Sequence, residues 1–125
     1  MIGSILIDIE EGIKLFNSSD FFAAHDYFED LWMNAEQKDK LFFQGMVQIS
    51  VASYHLTHNN LNGAQSQYIK SADKLKNYLP EYYGVNLEKL LNDADKIKRN
   101  IANHLVDYRN QIDAGLILKI DFNKK

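Results

Sequence analysis

The chain has 125 residues, of which 46% are hydrophobic and 25% charged, so it can bury a core and keep a solvated surface. Its formal net charge of -3 argues against a general binder of nucleic acid or of anionic membranes, because both need a basic field. The absence of cysteine excludes disulfides, thiol catalysis and cysteine-ligated metal sites. The length predicts a single domain spanning residues 1–125.

The N-terminal residues, MIGSILIDIEEG, include no basic residue, and acidic residues interrupt the apolar ones. This pattern does not match a signal peptide. No apolar run in the sequence approaches the length of a transmembrane helix. We therefore expect a cytoplasmic protein that does not contact membranes.

Apolar residues recur at helical spacing along most of the chain, while glycines are few and the one proline is Pro80. Turn-forming stretches separate the periodic segments, with NSSD at 17–20, EQKD at 36–39 and HNNLNG at 58–63. The stretch at 17–20, which ends at Asp20, supplies N-cap residues for the next helix, and Asn86 can cap the last one. The predicted helices span about 2–16, 20–34, 40–58, 61–79 and 86–108.

Short connections between long helices favour antiparallel neighbours. The predicted fold class is therefore all-α, an antiparallel bundle of four to five helices. The C-terminal residues, GLILKIDFNKK, are partly β-branched and predict a short extended tail. That tail is expected to be either an arm or an edge strand.

The second predicted helix carries a histidine and a glutamate four residues apart among aromatic residues, in the stretch AAHDYFEDLW. On a helical wheel, His25 and Glu29 fall at the apolar face or its edge, near Trp32. Asp26 and Asp30 turn toward solvent on the same wheel. The two pairs of polar residues are therefore not equivalent.

The third predicted helix is apolar nearly all round, which predicts that it is central and buried. Gln44, Gln48 and His55 nevertheless share one narrow stripe of it. A buried amide or imidazole without a partner costs about 1–3 kcal/mol, so this stripe should face polar residues of the second helix. The predicted pocket is lined by His25, Glu29, Gln44, Gln48 and His55, with Phe21, Phe28 and Trp32 as its walls.

Three functions remain open for such a pocket. His25, Glu29 and His55 could hold a divalent metal ion such as zinc, iron or manganese, with Gln48 or Asp26 orienting the ligands. A metal-assisted hydrolase is the more specific form of that hypothesis. The second possible function is a site without metal that binds a small ligand or performs acid–base chemistry. Alternatively, the polar residues form a structural hydrogen-bond network, and Tyr82, Tyr83 and the tail dock a protein partner.

The stretches FFAAHDYFEDLW, FFQGMVQISVASYHLTHNNLNGA and KLKNYL resemble the domain-of-unknown-function 309 family of bacteria, archaea and some plastids. The resemblance covers about residues 15–92, leaving the C-terminal helix and tail at 86–125 largely outside it. The family signature falls on Phe22, Ala24, His25, Glu29, Trp32, Gln44, Gly45, Gln48, His55, Asn60, Gly63 and Ala64.

The resemblance implies an all-α bundle and no established activity, and it allows a plastid stromal location if the chain is plastid-encoded. Two positions depart from the family pattern. Asp26 stands where the family usually has glutamate, and Asn59 stands where it has glycine. The first departure weakens the expectation that this position must reach a ligand.

Overall fold

Helices dominate residues 7–124, the part of the chain that the computed structural model describes. Consecutive helices pack against one another, which confirms the predicted all-α bundle. No helix in this range has both the length and the apolar character that crossing a membrane requires. The helices are α1 (Glu10–Asn17), α2 (Phe21–Met33), α3 (Lys40–Thr57), α4 (Leu61–Leu75) and α5 (Leu87–Val106).

Side-chain caps set the beginnings of three helices. Asp20 accepts a hydrogen bond from the Ala23 backbone N–H at the start of α2 (3.4 Å), and Asn86 accepts one from Lys89 at the start of α5 (3.0 Å). Asn60 caps α4 in the same way. These bonds satisfy amide groups that have no partner inside the helix, and they confirm the capping roles predicted for Asp20 and Asn86.

The first helix begins later than its apolar spacing predicts. Residues 7–9 are not helical and α1 starts at Glu10; residues 2–6 of the predicted helix lie outside the described residues. The Asp8 side chain accepts from the Glu10 N–H (2.9 Å), while the Asp8 carbonyl accepts from the Tyr27 hydroxyl (2.7 Å). A contact with α2 therefore takes the carbonyl that a longer helix would use internally.

The predicted ends of the last two helices also need correction. The α-helical part of α4 ends at Leu75, followed by a 3-10 turn (Lys76–Tyr78), and Leu79 is extended because the residue before a proline avoids the helical region. Helix α5 ends at Val106, since Asp107 is extended and accepts from the Arg109 N–H. Tyr108, the last residue of the predicted helix, lies beyond the end of α5 and is exposed.

The segment after α4 forms a short antiparallel hairpin of two strands with two residues each, β1 (Glu81–Tyr82) and β2 (Val85–Asn86). The C-terminal tail lies against this hairpin. Phe122 forms an antiparallel bridge with Val85. Asn17, at the end of α1, donates to the Ile120 carbonyl (2.9 Å) and accepts from its N–H (2.7 Å). The tail, which follows a 3-10 turn (Ala114–Leu116), thus contacts both the hairpin and the first helix.

Helices α3 and α4 approach closely at Gly45. A methyl group at this position would lie 2.6 Å from Cγ of Leu75, a side chain with no exposed surface. Such a distance is far shorter than van der Waals contact, so glycine is required for this packing.

Gly45→Ala should therefore lower the free energy of unfolding by about 1–2 kcal/mol, because the overpacking outweighs the higher helix propensity of alanine. Chemical denaturation followed by circular dichroism measures the change. Ser66→Ala, on the exposed side of α4, is the control and should be neutral or slightly stabilising. A Gly45→Ala protein as stable as the wild type would contradict the close approach.

Asp39 forms a buried polar junction between the start of α3 and the hairpin. Its carboxylate has no exposed surface and accepts hydrogen bonds from the hydroxyls of Tyr82 (2.5 Å) and Tyr83 (2.6 Å). Tyr78 donates to the neighbouring Lys38 carbonyl (2.8 Å). From the sequence, residues 36–39 are expected to be a connection, and Tyr82 and Tyr83 are part of a docking surface in one alternative. The structure shows that both tyrosine hydroxyls bind Asp39 within the chain.

The buried carboxylate changes the acidity of both tyrosines. The hydrogen bond to Asp39, followed by burial, raises the pKa of Tyr82 to about 12. Burial, followed by the hydrogen bond to Asp39, raises the pKa of Tyr83. Because the folded state holds these protons more tightly than the unfolded state, the stabilisation is complete below pH 10 and is lost as pH rises through about 12.

Tyr82→Phe should reduce the free energy of unfolding at neutral pH by about 1.5–3 kcal/mol, since a buried carboxylate loses a donor. The same variant should lose less stability than the wild type between pH 10 and 12. Chemical denaturation curves of the variant and the wild type, recorded at neutral pH and at several values between pH 10 and 12, measure both effects. The matched control is Tyr108→Phe, because the Tyr108 side chain is 80% exposed. It should change neither the free energy of unfolding at neutral pH nor its decrease at alkaline pH.

Candidate functional site

His25, Asp26 and Glu29 form a cluster of potential metal ligands on α2. Each offers one ligand atom, and these three atoms all lie within 4.8 Å of one another. His25 and Glu29 are one helical turn apart and therefore neighbours on the helix surface. Asp26 follows His25 in the chain, and one of its carboxylate oxygens also lies 3.5 Å from Nδ1 of the ring.

The cluster is accessible from solvent. The side chain of His25 is 22% exposed and that of Asp26 is 61% exposed, while Glu29 is half-buried. Water can therefore reach the ligand atoms. A cation held here would keep coordination positions open for water or another ligand, as in catalytic rather than structural metal sites.

A backbone hydrogen bond orients the His25 ring. Nδ1 lies 3.0 Å from the Phe22 carbonyl oxygen, which can only accept, so Nδ1 carries the proton. In the neutral imidazole, Nε2 is then left with a free lone pair. Metal-binding histidines commonly donate their other ring N–H to a carbonyl or carboxylate in this way, which fixes both tautomer and ring orientation.

A small cavity adjoins the cluster between α2 and α3. It has a volume of about 160 Å³ and is lined by Phe22, His25, Val51 and Tyr54. The Phe22 ring packs edge-on to His25, with centroids 5.2 Å apart, and lies 5.8 Å from the Tyr54 ring. His25 thus belongs both to the ligand cluster and to the wall of an apolar cavity.

The structure places the other predicted pocket residues elsewhere. Gln48 accepts a hydrogen bond from Lys74 of α4 (3.3 Å), so it faces away from α2. His55 accepts one from Asn60 at the α3–α4 connection (3.4 Å). Within residues 7–124, the grouped ligand atoms therefore belong to Asp26, and not to His55, alongside His25 and Glu29.

The aromatic residues predicted as pocket walls are largely core residues. Phe21 and Phe28 are almost completely buried. Trp32 is half-buried at the end of α2, where the Lys40 ammonium lies 5.8 Å from its ring centre and donates to its carbonyl oxygen (2.8 Å). Gln44 is half-buried on α3.

Asp26 and Phe22 are the site residues that sequence reasoning undervalued. The helical wheel predicted that Asp26 faces solvent, and most of its side chain is indeed exposed. However, Asp26 follows His25 directly and precedes Glu29 by three residues, so its carboxylate can still approach both side chains. Phe22 is 56% exposed, and its role depends on contact with Tyr54 of another helix. The spacing His-Asp-x-x-Glu was the available signal for Asp26.

Comparison with known protein families identifies the segment that contains this cluster. Residues 9–67 match the family model DUF309, a domain of unknown function. This match confirms the resemblance to the family over a range that includes α1, α2, α3 and the start of α4. A search among curated proteins found no match to the chain. The family is described without a function, so the case for an activity depends on the residues themselves.

His25 and His55 should adopt opposite neutral tautomers. Nδ1 of His25 donates to a carbonyl, whereas Nδ1 of His55 faces the amide nitrogen of Asn60, whose oxygen accepts from the Gly63 N–H. Long-range ¹⁵N–¹H NMR spectra, recorded where both rings are neutral, should show a proton on Nδ1 of His25 and on Nε2 of His55. A proton on Nε2 of His25 would mean that this ring nitrogen is not free to bind a metal.

Proposed function

We propose that the protein binds one divalent metal ion through His25, Asp26 and Glu29. The observation that carries the proposal is the grouping of three ligand atoms within 4.8 Å. One imidazole and two carboxylates suit ions such as Zn²⁺, Mn²⁺ and Fe²⁺. The hydrogen bond from Nδ1 to the Phe22 carbonyl supports the proposal because it leaves Nε2 available.

The local charge also supports a bound cation. Some carboxylates elsewhere in the protein have a lysine partner, for example Asp93 with Lys89 (2.8 Å) and Glu10 with Lys124 (2.9 Å). Among the described residues, the ion pairs of the cluster are limited to His25 with Asp26. Two neighbouring carboxylates without a lysine or arginine partner attract a cation, and a divalent ion would offset their charge.

The untagged, metal-stripped protein should bind Zn²⁺ or Mn²⁺ with one ion per chain in isothermal titration calorimetry. Asp26→Asn and Glu29→Gln should each weaken binding at least tenfold, because each replaces a charged ligand by a neutral amide. Asp30→Asn is the matched control, since Asp30 is an exposed aspartate on the same helix outside the cluster. Its affinity should equal that of the wild type.

The metal-free variants separate this proposal from a structural hydrogen-bond network. The cluster is accessible to solvent, so Glu29→Gln should leave the melting temperature unchanged or slightly raised, because it relieves repulsion between carboxylates. Equal metal affinity in the wild type and both ligand variants would refute the metal site. A lowered melting temperature in those variants, without metal binding in any of them, would instead favour the structural network.

A further inference from the structure

His25 links the proposed metal site to the apolar cavity beside it. The same imidazole contributes a ligand atom to the cluster with Asp26 and Glu29 and lines the cavity with Phe22, Val51 and Tyr54. A molecule in this cavity therefore contacts a residue that also holds the ion. Such a molecule could reach a coordination position that the three protein ligands leave open.

The cavity walls select for an apolar group. Phe22, Val51 and Tyr54 present aromatic and aliphatic surfaces, and Tyr54 is held in place by stacking on His58, with ring centroids 4.0 Å apart. The volume of about 160 Å³ is close to that of an apolar protein cavity known to bind benzene, about 150 Å³. A group of about six carbons therefore fits the available space.

We propose that the site binds a small carboxylate whose carboxylate group coordinates the metal ion and whose apolar group, of about phenyl size, occupies the cavity. This inference depends on the proposed metal binding. Without the ion, the carboxylates of Asp26 and Glu29 repel the carboxylate group of such a ligand. With the ion bound, the local charge is close to neutral and a carboxylate becomes a suitable ligand. Binding of the carboxylate and of the metal ion must then be positively coupled.

Benzoate is the probe for this coupling. Its affinity for the Mn²⁺- or Zn²⁺-loaded protein should be at least tenfold higher than for the metal-free protein, as measured by calorimetry or ligand-observed NMR. By reciprocity, saturating benzoate should raise the metal affinity by the same factor. Acetate has the carboxylate without the apolar group, and benzyl alcohol has the ring without the carboxylate. Both should bind at least tenfold more weakly than benzoate.

Two variants test the cavity separately from the ion. Val51→Phe fills the cavity and should weaken benzoate binding at least tenfold while metal affinity stays within twofold. Val106→Phe adds the same bulk at a position that is 88% exposed on α5 and should change neither affinity. Phe22→Ala removes an exposed wall without filling the core, so it keeps the test decisive if Val51→Phe fails to fold. It should also weaken benzoate binding.

The outcomes distinguish the two proposals. Metal binding without coupled benzoate binding, or benzoate binding unaffected by both cavity variants, would overturn the carboxylate site and leave the metal site intact. Equal binding of acetate and benzoate would show that the cavity takes no part, and would also overturn this inference. If the wild-type protein binds no metal ion, both proposals are overturned.

Discussion

The burial of α3 between α2 and α4 is the constraint on which the remaining structure depends. This helix is apolar on most of its circumference, and its contact with α4 is close enough to require glycine at position 45. Polar groups on such a helix must find partners at whichever neighbour they face, because an unpaired buried group is costly. Ser53 therefore bonds to the Tyr68 hydroxyl of α4 (2.8 Å), and Gln48 bonds to Lys74.

This arrangement separates stability from the candidate site. Gln48 and His55 of α3 find their partners on α4 and at the α3–α4 connection, so they do not need His25 or Glu29 of α2 as partners. The Phe22 ring of α2 packs against the Tyr54 ring of α3, and Lys40 of α3 bonds to the Trp32 carbonyl of α2. His25, Asp26 and Glu29 lie beside that contact with access to solvent. Ligand side chains in such a place can change partner without disturbing the packing of the core.

The helices and their caps could be predicted from sequence because the signals are local. The apolar spacing located α2 and α3 to within about a residue at each end, and a capping residue such as Asn86 acts on an amide only three positions away. The late start of α1 could not be predicted in the same way. Before this helix, the Asp8 carbonyl accepts a hydrogen bond from Tyr27, 19 residues away, and a contact of this kind leaves no local signal in the sequence. The burial of Asp39 depends on tyrosines more than 40 residues later.

The site was predicted in part for a related reason. The spacing of His25 and Glu29 on one helix is local and led directly to the cluster, whereas the placement of His55 and Gln48 assumed that the polar stripe of α3 faces α2. A helical wheel shows on which face of its helix each side chain lies, but it does not show which neighbouring helix packs against that face. Here α3 has two neighbours, and only the packing decides between them.

The two acidic sites of the molecule show how burial determines the partner of a carboxylate. Asp39 is fully buried, and neutral tyrosine hydroxyls satisfy it through short hydrogen bonds at fixed positions. Those donors stabilise the charge but leave no room for a ligand. Asp26 and Glu29 are accessible, close together and beside the His25 ring, which is oriented by its contact with the Phe22 carbonyl. Water can solvate such a pair, and a divalent cation can replace that water. The buried carboxylate therefore fits a structural role, whereas the accessible pair is the one that we propose as a metal site.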